Sequence, residues 1–345
     1  NGTERLSVFD WNGASLVNEQ ILLTLPAAGI HNGSRLLVLP DSTLLMTTGD
    51  VGDGGASSQN LNSLNGKVLR INLDGSVPAD NPTPGSYVYS YGHRNPQGLA
   101  LGQGGIIYSS EHGQSNDDEV NVIEPGRNYG WPNVEGMCNT SSESSYCAAN
   151  NVREPIDSFS PCAAVNGMTW YNHPAIPEWQ NCLLLSVMGG FALNDKRLSV
   201  LSLSEDGLSV TNETQWFASY GQRIRDVAVN PYTGSVYLAF NGPSYPGSGP
   251  NVIKEFRNLD YVPVTSVAGC RYPGALNYDP NATEDDNTCQ FAGCTDPTAL
   301  NYVPWANVTT QCLYTVPCPE DVDGDGATTV ADMLLVLGAF GDFCN

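Results

Sequence analysis

The 345-residue chain carries 36 acidic against 14 basic side chains, a formal charge of −22, yet only 14% of its positions are charged. An average soluble domain has about 25% charged residues, so the acidity comes from scarce Lys and Arg, and nucleic acid, which needs clustered cations, is excluded as a partner. With 41% hydrophobic residues the chain can bury a large core across two or more domains and is no disordered acidic protein.

In chain order, Arg5 to Leu25 (RLSVFDWNGASLVNEQILLTL) reads as two short strands around a Gly turn, and the same pattern returns from Arg197 to Ser219. A second hairpin type recurs at RLLVLPDSTLLMTTGD from Arg35, GLALGQGGIIYSSEHG from Gly98, NGMTWY from Asn166 followed by NCLLLSV, and DVAVNPYTGSVYLAFNG from Asp226. Each is a short alternating strand, a turn, and a second strand rich in Val, Ile, Leu or Tyr. Repeated four-strand units with no amphipathic helix between them predict an all-β fold, a β-propeller; a β-sandwich would not restart the same pattern. In a propeller the first strand of each blade lines the channel. His31-Asn-Gly-Ser, His93-Arg94-Asn95-Pro-Gln97 and Arg223-Ile-Arg225, which precede or open such strands, are therefore expected at the channel mouth.

The pattern stops after Arg257. Residues 270–289 and 294–312 share Cys, Pro, Ala-Leu-Asn-Tyr, Pro and Cys at a period of 24, and each is expected to be stapled by a disulfide because it is too small for its own core. The last segment places Asp321, Asp323, Asp325 and Asp332 at positions 1, 3, 5 and 12 of a loop with Gly326 at 6, an EF-hand-like calcium site. Asp at position 12 suits the dockerin variety. The expected organisation is a propeller over 1–258, a linker over 259–268, two Cys-bounded repeats over 269–314 and a dockerin-like segment over 315–345.

Ten cysteines without a CxxC pair read as disulfides in an oxidising compartment, hence a secreted, periplasmic or cell-surface protein. The longest apolar run, Met333 to Leu337, is far short of the roughly 20 residues that span a bilayer. The chain begins at Asn1 with neither Met nor an apolar leader, so any export signal is expected to be removed or upstream.

Three groups of residues point to chemistry. His31 and Asp50 bracket one hairpin, and a carboxylate-oriented histidine is the usual general base near neutral pH; the structural alternative is two turn residues. Arg94, Arg223 and Arg225 suit a polycarboxylate or phosphorylated ligand, against ordinary pairing with Asp and Glu. The run Glu111 to Glu119 offers hard oxygens and a Gly that exposes carbonyls, which fits calcium, or else a solvated acidic loop.

Residues 31 to 257 resemble the soluble quinoprotein glucose and aldose dehydrogenases, the glucose/sorbosone dehydrogenase family. The matching stretches are IHNGSRLLVLPDSTLLMTTGD, NGKVLRINLDGSVPADNP, YGHRNPQGLA, SEHGQSNDDEVNVIEPGRNYGWPNVEG and QRIRDVAVNPYTGSVYLAF. The resemblance implies a six-bladed propeller that binds pyrroloquinoline quinone (PQQ) and calcium and oxidises an aldose sugar to its lactone. His31 falls on the family's base and Asp50 on its partner, while Arg94 and Asn95 fall on residues at the reactive quinone oxygens. Gly113 and Gln114 take the positions whose carbonyls ligate the cofactor's calcium. Arg223 and Arg225 match the pair that binds cofactor carboxylates, and Asp118, Glu119 and Tyr129 match a second, structural calcium region. An external electron acceptor, a cytochrome or the quinone pool, is implied, and the C-terminal segment is a candidate for docking a partner.

Three departures stand out. The family's cofactor-binding Lys aligns with Met188, so its role is lost or moved to Lys196. Aromatic lid residues near PCAAVNG are missing, and residues 1–257 are short for six blades, so N-terminal blades are expected to be missing from this chain. The competing expectation is a non-catalytic propeller that binds carbohydrate or a protein at the cell surface.

Overall fold

The computed structural model describes residues 2–190, 195–244, 249–262, 267–299 and 301–314. The fold is all-β, and its sheets are blades of a β-propeller. Strands β1 (Gly2–Trp11) and β2 (Leu16–Ala27) form a two-stranded sheet. Three four-stranded antiparallel sheets follow. The first contains β3 (Leu36–Val38), β4 (Thr43–Thr48), β5 (Lys67–Asn72) and β6 (Val88–Tyr91). Next come β7 (Pro96–Leu101), β8 (Ile107–Glu111), β9 (Asp118–Ile123) and β10 (Asp157–Phe159). The third has β11 (Val165–Tyr171), β12 (Cys182–Met188), β13 (Lys196–Leu203) and β14 (Val210–Trp216). A three-stranded sheet of β15 (Ile224–Val229), β16 (Val236–Asn241) and β17 (Asn251–Phe256) completes the set.

Every recurring sequence hairpin falls on a blade's inner pair: β3–β4, β7–β8, β11–β12 and β15–β16. The other repeat, 5–25 and 197–219, falls on β1–β2 and on the outer pair β13–β14. Strands β4, β8 and β12 are buried along their whole length, because sheets pack on both their faces; polar side chains such as Thr47, Ser109 and Ser110 are buried with the apolar ones. Leu99, Val165, Leu183 and Leu201 mark the contacts between successive sheets, each buried side chain contributing about 1.5–3 kcal/mol. Inner strands β3, β7, β11 and β15 lie beside one another, which brings the segments that precede them to one end of the channel.

The loop between β9 and β10 holds a helix, α1 (Ser141–Asn150), which the strand pattern does not predict. It buries no side chain, and a capping box between Thr140 and Glu143 starts it. The Cys138–Cys147 disulfide closes it.

Disulfides Cys270–Cys289 and Cys294–Cys312 staple the two small repeats. Reading all cysteines as paired needs correction: Cys162 and Cys182 are free and buried, and pack as small apolar residues beside the inner strands. The repeats rest on the propeller. Tyr272 donates its hydroxyl to the Val38 carbonyl at 3.2 Å, Trp305 and Phe291 join the core around Leu101 and Ile107, and Arg271 lies 4.1 Å over the Tyr232 ring. These contacts fall at the far ends of β3, β7 and β15, opposite the ends that follow His31, Arg94 and Arg223. The calcium loop with Asp321, Asp323, Asp325 and Asp332 lies outside the described residues.

Candidate active site

His31 stands in the turn before β3 in a left-handed conformation, with φ of 54°, unusual for a residue with a side chain. Its main chain is pressed against Gly49, where any Cβ would collide with the His31 carbonyl. The Val51 N–H also donates to that carbonyl, at 3.1 Å. This packing brings His31 Nδ1 to 2.6 Å from Asp50 Oδ1. Asp50 is buried, and its carboxylate also accepts from the Gly52 N–H and from Trp131 Nε1, both at 2.9 Å. Burial pushes its pKa up, but the hydrogen bonds from His31, Gly52 and Trp131, with the histidine's charge, outweigh that and leave it below the usual carboxylate range. The imidazole retains 18% exposure, so solute can reach its outer edge.

Arg94 and Asn95 follow from the next blade. The Arg94 carbonyl accepts from the Asp50 N–H at 2.8 Å, and its guanidinium lies 5.3 Å from the Trp131 ring centroid while donating to the His112 carbonyl at 3.1 Å. Asn95 Oδ1 accepts from the Gly33 N–H at 3.3 Å and from Gln97 at 2.9 Å, which leaves its amide nitrogen as the outward donor. The buried carboxylate of Glu111 fixes the stretch from below, accepting from the Arg94 and Asn95 N–H groups and from His93 Nδ1.

The arginines at the start of β15, Arg223 just before it and Arg225 on it, differ from each other. Arg223 is buried and donates to Asn241 Oδ1, to the Ser244 carbonyl and to the Met188 sulfur at 3.4 Å; Arg225 is exposed. His112 lies between the clusters. Burial depresses its pKa, Asp118 and the Val165 backbone raise it, and Arg94 and Arg225 lower it again, so both guanidinium groups act on one imidazole. Met188 also accepts from Asn166 Nδ2 at 3.7 Å. Register pairs Met188 with Lys196, a buried lysine on the adjacent strand.

In the acidic loop, Asp118 accepts from the Gly113 N–H at 2.9 Å and from the Val165 N–H at 3.2 Å, so it ties the Gly113–Gln114 turn to β11. Glu119 accepts from the Gly136 N–H and from Asn121, both at 2.8 Å. The Tyr129 hydroxyl donates to the Val122 carbonyl and accepts from the Glu124 N–H. A cavity of about 10 Å³, enough for one water-sized species, is lined by Glu111, Asp117, Glu119, Glu135 and Arg94 among others. Burial, then Glu111, pushes Glu119 up to about 8; Asp117 and Glu135 are raised by burial too. Among the described residues no group of three or more His, Cys, Asp or Glu side chains is arranged as a metal site.

Sequence reasoning missed Trp131, which touches both Asp50 and Arg94, and Lys67. The buried Lys67 ammonium donates to the Ser57, Ser58 and Asn65 carbonyls at 2.7–3.0 Å and so closes the loop after Asp50. Burial lowers it to about 7.

Sheets of this kind, with the His31–Asp50 pair and Arg94 at the ends that precede the inner strands, define a β-propeller with a polar site at its channel mouth. The family model "Glucose / Sorbosone dehydrogenase" matches residues 5–245, and the chain belongs to that family. It is 33% identical over 222 residues to aldose sugar dehydrogenase YliI of Escherichia coli K12, which covers 61% of this chain and 57% of that protein. It is 41% identical over 151 residues to quinoprotein glucose dehydrogenase B of Acinetobacter calcoaceticus, 38% of this chain and 31% of that one. The PQQ-bound aldose sugar dehydrogenase of Streptomyces coelicolor superposes with a TM-score of 0.60 at 30% identity, covering 73% of this chain and 70% of its own. The chain thus spans less than two thirds of the length of the Escherichia coli and Acinetobacter relatives.

Proposed function

We propose that this protein is an exported, PQQ- and calcium-dependent dehydrogenase that oxidises an aldose to its lactone, with His31 as general base. The observation that carries this is the His31–Asp50 pair, open to solute on one edge and set beside Arg94. Asp50 accepts from Nδ1, which fixes the tautomer with Nε2 as the base. Nε2 takes the proton of the anomeric hydroxyl, and Asp50 stabilises the imidazolium that forms. When bound, the quinone supplies the two-electron acceptor for hydride leaving the anomeric carbon. An external acceptor, a cytochrome or the quinone pool, takes the electrons onward.

The residues at the mouth fit an anionic quinone. Arg94 Nε and His112 Nε2 are buried without a hydrogen-bond partner, an imbalance that an oxyanion would relieve. Arg94 and the Asn95 amide would hold its reactive edge, and Arg223, Arg225 and Lys196 its carboxylates. For calcium, the Gly113–Gln114 turn offers main-chain carbonyls in an orientation that Asp118 fixes. The carboxyls of Glu119, Asp117 and Glu135, raised first by burial and then by neighbouring carboxylates, would be relieved by a cation, which suits a second calcium near Glu119 and the Tyr129 main chain. A third site belongs to Asp321, Asp323, Asp325 and Asp332, in a segment that docks a partner. Export accords with the three disulfides among the described residues. No described helix is long and apolar enough to cross a membrane.

One observation favours a second reading. Met188 fills the lysine position and caps Arg223, as expected of a propeller that binds carbohydrate or a protein without turnover. Reconstitution with PQQ and calcium, followed by dye reduction with a panel of aldoses, decides between them. Reduction supports the dehydrogenase; a folded protein that binds sugar without reducing dye supports the alternative.

A further inference from the structure

Trp131 has four ties, two to site residues and two to the segments that carry them. Its indole N–H donates to Asp50 Oδ2 at 2.9 Å, and its ring lies under the Arg94 guanidinium, 5.3 Å from the centroid. Its backbone N–H donates to the Gly92 carbonyl at 3.0 Å, two residues before Arg94. Its carbonyl accepts from Gln59 Nε2 at 2.7 Å, on the loop that Lys67 closes after Asp50.

We propose that Trp131 is a positioning residue that sets the His31–Asp50 pair and Arg94 relative to each other. One rigid two-ring side chain spans the carboxylate that orients the base and the cation that faces it. A buried indole needs an acceptor for its N–H, and here Asp50 is that acceptor. The donation holds the carboxylate in the plane that presents its other oxygen to His31, and the ring limits the rotamers open to Arg94. The catalytic part of the proposal rests on the oxidation reading; the geometric part does not.

The test uses Trp131→Phe, which keeps a ring under Arg94 and deletes the N–H. In the cofactor-free protein, followed by carbon NMR of labelled Asp, the Asp50 carboxyl is expected to titrate at higher pH in the variant, having lost a donor. In the PQQ- and calcium-loaded protein kcat is expected to fall about 10-fold or more, as for other residues that orient a reacting group, with KM and PQQ affinity within about 3-fold. A folded variant with unchanged Asp50 titration and unchanged kcat overturns the proposal. Should the variant not fold, the wild-type indole N–H resonance is the measurement: it tracks the Asp50 titration if the proposal holds, and indifference to it overturns the proposal. A shifted titration in a protein whose wild type oxidises no aldose supports the positioning role and removes the oxidation reading.

Discussion

Arg35 and Asp226, 191 positions apart in sequence, form an ion pair at 2.8 Å between the start of β3 and strand β15. Arg35 also donates to the Gln97 carbonyl at the start of β7, so one guanidinium joins three blades at the channel. Gly167 of β11 lies against this pair, and a Cβ there would collide with Asp226. The pair itself is partly exposed and is worth no more than about 1 kcal/mol. Gly167→Ala should cost more, about 1–3 kcal/mol, because it overpacks the junction. Denaturant melts of both Gly167→Ala and Arg35→Met check the order; equal losses would contradict it.

The acidic cavity makes a prediction about pH. Glu119 has its ordinary value of 4.5 raised to about 8, so the fold tolerates its neutral form. That contribution is whole below about 4.5 and is lost as pH rises to about 8, since the unfolded chain then binds fewer protons. The metal-free protein should therefore melt lower at pH 8 than at pH 5.5. Calcium should reverse the trend, and Glu119→Gln should flatten both responses.

Inner hairpins and the mouth residues were readable because both depend on short-range pattern: alternation, turns, and polar residues just before a strand. His31 and Asp50 lie 19 positions apart on one hairpin. Trp131 was not readable, because it sits in a loop 81 residues from Asp50 and a lone Trp in a Gly-Trp-Pro run reads as core. Nor does a cysteine count distinguish the free Cys162 and Cys182 from paired ones. The seat of the repeats was hidden for the same reason as Trp131: Tyr272 meets Val38 across 234 positions.

That seat has a consequence for stability. Trp305 is buried among Leu101 and Ile107, so Trp305→Ala should lower the stability of the whole propeller, by about 3–5 kcal/mol. Mild reduction that opens Cys270–Cys289 and Cys294–Cys312 should act in the same direction. Calorimetry is the check. A propeller transition that ignores both changes would show that the repeats are passengers.

Met188→Lys would place an ammonium against the Arg223 guanidinium, where the thioether now accepts a hydrogen bond. Two neighbouring cations should lower the melting temperature of the cofactor-free protein. If this corner holds cofactor carboxylates, PQQ should raise the melting temperature of the variant more than that of the wild type. An equal rise in both would place the carboxylates elsewhere.

The central claim is that His31 is the base of a PQQ-dependent sugar oxidation. Its most direct measurement compares wild type with His31→Gln, each loaded with PQQ and calcium, for dye reduction by aldoses and for PQQ affinity in parallel. The account predicts that turnover falls by about 100-fold or more, the range of general-base loss, while PQQ affinity stays nearly unchanged. Undiminished turnover in the variant, or no turnover in a folded, PQQ-loaded wild type, would contradict it.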